Sequence, residues 1–227
     1  MSENFQIDQY GNIKWTLQDD RFSSFSSYLS FSPDGNTVYI VSSSPIVLAV
    51  DVNTKQVKWS FQGDDVPDVP NFQPANGVVV DSYGNIYFLT KRNFNEGEIF
   101  ALYPNGEIKW RNRIHSQDIR VIPNVPTLDK FGNLYCAIDS VYSFDFEGKL
   151  RWKSALNNKS DCPTICDNLG SIYVGTFEIS IISFDSDGNQ LWQIDDNQNG
   201  VGGSPAIGFN EMMFFPTWES EKIYGIK

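Results

Sequence analysis

Basic residues are scarce in this chain. Its 17 Lys and Arg face 28 Asp and Glu in 227 residues, a formal net charge of −11. That shortage argues against nucleic-acid binding, which depends on cations neutralising phosphates. It also disfavours anionic membrane surfaces. Long apolar runs are missing, so no transmembrane segment is expected. The N-terminus, Met1-Ser2-Glu3-Asn4, lacks the basic start and apolar stretch of a secretory signal. The chain is expected in the cytoplasm if it is complete, and outside it if an export signal has been removed. Cysteine is limited to Cys136, Cys162 and Cys166, an odd set that builds no disulfide framework and suits a reducing compartment. The one histidine, His115, has no matched nucleophile to form a triad and reads as a solvated loop residue. No stretch has helical periodicity.

What the chain does have is a repeat. Five tryptophans close the same short segment: Gly11 to Trp15, Lys55 to Trp59, Gly106 to Trp110, Gly148 to Trp152 and Gly188 to Trp192. Their spacings are 44, 51, 42 and 40 residues. Upstream of each lies a short apolar strand, most often ending in an acid: Gln6-Ile7-Asp8, Ala49-Val50-Asp51, Ala101-Leu102-Tyr103, Ser143-Phe144-Asp145 and Ser183-Phe184-Asp185. Two strands joined by a tight glycine-containing turn form a β-hairpin.

A second hairpin precedes the first in each unit. Its turns run Ser32 to Asn36, Asp81 to Asn85, Asp129 to Asn133 and Asp167 to Ser171, each followed by an aromatic at a matching place: Tyr39, Tyr87, Tyr135 and Tyr173. A fifth, looser copy spans Gly208 to Phe214. The leading Asp can accept hydrogen bonds from the backbone ahead of it, and Gly supplies the positive φ. Both residues are read as structural.

Four antiparallel strands, A to D, recurring at this period give an all-β fold: a β-propeller of five four-stranded blades, occupying 1–227 as a single domain. Gly225-Ile226-Lys227 aligns with the end of strand C, as Gln6-Ile7-Asp8 does at the N-terminus. The expectation is that N- and C-terminal strands share one blade and close the ring, with Asn12 to Trp15 as its outer strand. The competing expectation is a piece of a larger ring.

The strand–acid–Gly–Trp segment is similar to the tryptophan-docking motif of PQQ-like repeat propellers. The nearest copy is Ala49 to Trp59, with Lys55 where that family has Gly. The resemblance implies that Trp15, Trp59, Trp110, Trp152 and Trp192 are staples between blades. Rings of that family have about seven or eight blades, so five is a departure. The family includes quinone-dependent dehydrogenases, a lipoprotein of the outer-membrane assembly machinery and proteins of no assigned role. Its PQQ enzymes carry a calcium ion and a vicinal Cys–Cys disulfide. No adjacent cysteines occur here, which disfavours a PQQ-dependent dehydrogenase, and no cofactor is expected.

Metal binding is not expected either. Cys162 and Cys166, read together on one strand A, would stand roughly 13 Å apart, too far to share an ion. The three thiols are expected reduced.

Tight turns A–B and C–D share one face of a propeller, and connections D–A and B–C share the other. The D–A connections are long and acidic: Asp19 and Asp20, Asp64 and Asp65 with Asp68, Asp118, Asp161, Asp195 and Asp196. The B–C connections add Asp139, Glu178, Glu219 and Glu221. Such a rim focuses a negative field on cations or a basic partner. With Arg21, Arg111, Arg113 and Arg120 interleaved, it is also what an ordinary solvated rim looks like. Aromatics assigned to the same loops are Phe22, Phe25, Tyr28, Phe61, Phe72, Phe94 and Trp218. These features predict a non-catalytic binding or assembly module for a protein or carbohydrate ligand. The candidate contacts are Asp19, Asp20, Asp64, Asp65, Asp195, Asp196 and Trp218. A carbohydrate-binding propeller, or a glycoside hydrolase using paired carboxylates at the channel mouth, are the alternatives.

Overall fold

Short apolar runs buried on both faces, separated by glycine turns, leave the backbone few choices, and the computed structural model of the chain is all strand. It describes residues 3–7, 9–18, 28–41, 47–62, 73–74, 76–91, 95–116, 124–160, 162–177, 180–195, 200–208, 212–217 and 223–226. An N-terminal hairpin pairs β1 (Glu3–Ile7) with β2 (Ile13–Gln18). Blade 1 contains β3 (Ser30–Phe31), β4 (Thr37–Val41), β5 (Val47–Asp51) and β6 (Val57–Phe61). In blade 2 the inner strand comes as two pieces, β7 (Gln73–Pro74) and β8 (Val79–Val80), both on β9 (Ile86–Lys91), followed by β10 (Glu96–Leu102) and β11 (Ile108–His115). Blade 3 is β12 (Thr127–Leu128), β13 (Leu134–Ala137), β14 (Ser140–Phe144) and β15 (Leu150–Ala155). Blade 4 is β16 (Ile165–Cys166), β17 (Ile172–Gly175), β18 (Ser180–Phe184) and β19 (Gln190–Asp195). Blade 5 has three strands, β20 (Ala206–Ile207), β21 (Met213–Pro216) and β22 (Ile223–Ile226). Every sheet pairing is antiparallel, and the five blades make a β-propeller.

The expected sharing of one blade by the two chain ends is not made. Among the described residues β2 pairs with β1, β22 pairs with β21, and the two sheets are separate. The reason lies in the repeat itself. Both β1 and β22 occupy its third-strand place, so joining the sheets would put two strands in one position.

The turns follow the local chemistry. Asp81 Oδ1 accepts from the backbone N–H of Tyr83 and Asn85, and Oδ2 accepts from Asn85 Nδ2 and from the Tyr87 hydroxyl at 2.9 Å. Asp129 with Tyr135 and Asp167 with Tyr173 repeat the latch at 3.0 and 2.8 Å. The turn glycines take positive φ, and Lys55 takes it too, at 63°, so the lysine occupies the left-handed position that glycine fills elsewhere.

In every described C–D hairpin the register slips just before the last paired residue of strand C. Such a bulge re-aims the side chains beside it. Opposite the tryptophans of blades 1 to 4 it places Ala49, Ala101, Ser143 and Ser183, all fully buried. A small residue there leaves room for the indole to lean toward the next blade. The indole N–H of Trp59 donates to the Pro104 carbonyl at 2.9 Å, Trp110 to Phe146 at 3.1 Å and Trp152 to Ser186 at 2.8 Å. Each ring also covers the next blade's turn glycine, at Gly106, Gly148 and Gly188. The five tryptophans are half-buried rather than fully enclosed; Trp59, Trp110 and Trp152 each lie over an outer turn.

The core runs between blades. Tyr39 and Ala49 of blade 1 join Phe88 and Phe100 of blade 2 and Leu134 of blade 3 in one apolar cluster. Tyr135 and Val141 pack on Ile172 and Phe184, and Tyr173 and Ile181 pack on Met213 and Phe215. Inner strands are laced by side chains as well: Ser30 Oγ donates to the Val78 carbonyl at 2.5 Å, and Thr127 Oγ1 to that of Thr164.

The cysteines depart from the expected arrangement. Strand β16 holds only Ile165 and Cys166, so Cys162 lies before it. Cys162 Sγ lies 3.2 Å from the Val201 carbonyl on the blade 5 side, and Cys166 Sγ lies 3.3 Å from the Leu128 carbonyl of blade 3. The two thiols point to opposite neighbours. All three cysteines are free. Burial pushes the Cys136 thiol up to about 12 and the Cys166 thiol up to about 11. His115 ends strand β11 instead of lying in a loop; it is exposed, with Nδ1 3.6 Å from Glu96 Oε1. No helix among the described residues is long and apolar enough to cross a membrane.

Candidate functional site

Of the proposed contact residues, Asp195 is described. Asp19, Asp20, Asp64, Asp65, Asp196 and Trp218 lie outside the described residues, as do Asp68, Asp118, Asp161, Glu178, Glu219 and Glu221. Asp195 ends strand D of blade 4 on the loop face. Its Oδ1 accepts from Ser180 Oγ at 2.5 Å and Gln193 Nε2 at 2.6 Å. Those two donors, Ser180 first, hold its carboxyl below the ordinary aspartate value. It is exposed, so it presents a stable anion to solvent. Arg111 and Arg113 belong to strand β11 and not to a loop, and Arg111 Nε lies 3.7 Å from Glu98 Oε1. Phe61 likewise ends strand β6 and packs edge-on against Phe88 and Phe100. Tyr28 is exposed. Phe22, Phe25, Phe72 and Phe94 lie outside the described residues.

The same face carries a groove of about 640 Å³ between blades 2 and 3, where His115, Asp139, Lys153, Asn157, Asn158 and Lys159 converge. Three separate pieces of chain build it: the end of β11, the β13–β14 turn and the connection after β15. Backbone hydrogen bonds hold that connection in place. Leu156 N donates to Asp139 O at 3.0 Å, Ser160 N to Ile138 O at 2.7 Å, and Phe177 N of blade 4 to Lys159 O at 2.8 Å. Beside the groove, the Tyr142 hydroxyl lies within hydrogen-bond reach of the His115 carbonyl and Asp139 Oδ1, at 3.2 and 3.3 Å. Lys153 Nζ sits 4.8 Å from the centre of its ring. Burial, then the Asp139 charge, raises the Tyr142 phenol above its ordinary value, so it stays a neutral donor.

The groove therefore offers ammonium groups, a carboxylate, amides and an imidazole on an anchored wall. Asp139 is its single carboxylate among the described residues, and those residues supply no second carboxylate for the opposed pair of a glycosidase. No cluster of three or more His, Cys, Asp or Glu that could hold a metal occurs among the described residues. Sequence reading placed His115 and Asp139 separately and passed over Lys153, Asn157, Asn158 and Lys159. The polar run from Asn157 to Lys159 was the available signal.

No family model and no curated protein matches the chain. Among solved structures it is similar to BamB from Moraxella catarrhalis, with a TM-score of 0.68 at 13% identity, over 100% of this chain and 60% of that one. It is also similar to a protein of unknown function from Bacteroides caccae, with a TM-score of 0.62 at 11% identity, over 94% of this chain and 77% of that one. At these identities the likeness is one of fold. The chain spans 60% of the length of BamB.

Proposed function

We propose that the chain is a non-catalytic binding module that holds a protein ligand on its loop-rich face. The observation that carries this reading is the groove between blades 2 and 3. Its wall is fixed by backbone hydrogen bonds from two blades, so ligand contacts there need little ordering of the chain. Its lining pairs Lys153 and Lys159 with Asp139, a set that selects by charge pattern more than by apolar area. The exposed Asp195 and the acidic connections read from the sequence extend the same face toward a ligand with basic groups. Whether 1–227 acts as one domain or within a larger ring does not alter this reading.

The test is affinity capture from native extract with quantitative mass spectrometry, comparing wild type with a variant carrying Asp139→Asn, Lys153→Glu and Lys159→Glu. A partner retained by wild type, lost by that variant and bound more slowly as salt rises supports the reading. If every partner that wild type retains is also retained by that variant, the reading is refuted.

A further inference from the structure

The tight-turn face carries something the turns do not require. An Asp-x-x-Gly turn needs its first and fourth residues; where Asp leads, the third side chain takes no part in the turn. Blade 1 leads with Ser32 instead, and its third residue, Asp34, accepts from Asn36 N at 3.0 Å while Gly35 N donates to Ser32 O at 2.9 Å. Blades 2, 3 and 4 have Tyr83, Phe131 and Leu169, which are 85%, 69% and 81% exposed. Three successive blades thus hold a large apolar side chain in water where a charged one fits. The turns adjoin: Lys130 Nζ donates to the Asn168 carbonyl of the next blade at 2.9 Å. Between blades 2 and 3 the row borders a cleft of about 670 Å³, into which the C–D turns bring Tyr103 and Phe146. Both are exposed. Tyr83, Tyr103, Phe131 and Phe146 line one cleft, with Leu169 on the adjoining turn, and an exposed apolar patch of this kind marks an interaction surface.

Charge narrows the partner. Lys109 Nζ lies 5.4 Å from the Phe146 ring centre, and Lys130 Nζ lies 5.1 Å from that of Phe131. The cleft's carboxylates, Asp81 and Asp129, accept inward hydrogen bonds from their own turns and from Tyr87 and Tyr135. The outward charges beside the rings are therefore the two ammonium groups, on a chain that is acidic overall. An ammonium has three donors, so Lys130 keeps two for a partner. Leu169 has no ring for a sugar to stack on, whereas all three side chains can take an apolar contact.

We propose that this face is a second docking surface, for an extended polypeptide segment that lays apolar side chains on Tyr83, Phe131 and Leu169 and sets carboxylates against Lys109 and Lys130. It is separate from the loop-face groove, and either can fail without the other.

Fluorescence anisotropy with two labelled peptides tests it. One alternates leucine with glutamate over about ten residues, roughly 33 Å when extended; the other has lysine for glutamate. Wild type should bind the glutamate peptide more tightly. Replacing Tyr83→Asp, Phe131→Asp and Leu169→Asp removes the apolar contacts and should weaken binding at least about tenfold with the melting temperature kept. Lys109→Glu with Lys130→Glu should reverse the preference to the lysine peptide, and Lys153→Glu with Lys159→Glu should leave binding unchanged. Three results would overturn the proposal: no binding of the glutamate peptide by wild type at about 1 mM, undiminished binding by the triple-aspartate variant, or occupation of this cleft by cellohexaose instead of either peptide.

Discussion

A Cβ on Gly148 would stand 2.5 Å from Cδ2 of Trp110. The tryptophan of blade 2 lies on the turn of blade 3 so closely that the turn has no room for a side chain. The same glycine has φ of +84°, so two independent constraints act at one residue. Gly11 has the same φ of +84° but nothing within 4 Å of its Cβ direction. The pair separates backbone strain from contact.

Gly148→Ala should therefore cost about 2–4 kcal/mol, strain and overlap together, while Gly11→Ala should cost only about 1 kcal/mol of strain. Urea denaturation measures both. Trp110→Ala should itself destabilise by about 2–4 kcal/mol. It should also make Gly148→Ala cheaper in the double mutant, because the overlap is gone. Equal costs at Gly11 and Gly148 would mean that the indole exerts no steric demand.

Ser183 Oγ is buried without a hydrogen-bond partner. Its counterpart Ser143 accepts from Arg151 at 2.9 Å, but blade 4 has Leu191 where blade 3 has Arg151. Blades 1 and 2 use Ala49 and Ala101 at the same place. Ser183→Ala should stabilise the protein by about 1 kcal/mol by removing an unsatisfied hydroxyl. Ser143→Ala should destabilise it by a similar amount, since Arg151 loses an acceptor. Thermal melts of the two variants should move in opposite directions.

Acid should unfold the protein through its turns. Hydrogen bonds from Ser32 and then Asn36 bring the Asp34 carboxyl down to about 2. Asp51 is lowered chiefly by Thr54 N, and Asp185 by Asn189. Burial works against Asp167, but donors from Ser171, Tyr173 and Leu169 outweigh it, and it too lies below the ordinary value. A carboxyl depressed in the folded state contributes stability that is present above its unfolded pKa, near 3.9. That stability is lost as pH falls through the folded value. The melting temperature should be flat from neutral to about pH 5 and fall between about 4 and 2. Asp167→Asn should flatten part of that fall. A melting temperature unchanged down to pH 2 would rule the turns out as the acid-labile element.

The thiols should be slow. Cys136 is enclosed and its pKa is raised to about 12, so little thiolate exists at pH 8. Cys162 is equally enclosed, at 2% exposure. An aromatic disulfide reagent should modify Cys136 and Cys162 only as the protein opens, with full reaction of all three in denaturant. Rapid native labelling of Cys136 would contradict its burial.

The propeller was legible in the residues because its period is written in local chemistry. An Asp that accepts backbone donors, a Gly at positive φ and a Trp at the strand end each work within a few residues of chain. Five copies in register leave one architecture. The faces were legible too, since alternation of tight and long connections assigns them. The two proposed docking surfaces were not. His115, Asp139 and Lys159 meet in one groove only because blades 2 and 3 are side by side, a relation with no local signature. Tyr83 and Phe131 sit in turns that read as purely structural, and their exposure is decided by how the neighbouring turns stack.

The sequence by itself determined strand order, turn conformation and the place of each tryptophan, since these depend on φ, on hydrogen bonds to adjacent backbone and on short apolar runs bounded by turns. Tertiary structure alone decided that the end hairpin and the fifth sheet are not hydrogen-bonded to each other among the described residues, that Cys162 and Cys166 face different blades, and that Trp110 rests on Gly148. Those outcomes depend on the angle at which one twisted sheet packs against the next, and that angle is set by the summed volumes of side chains from two blades at once.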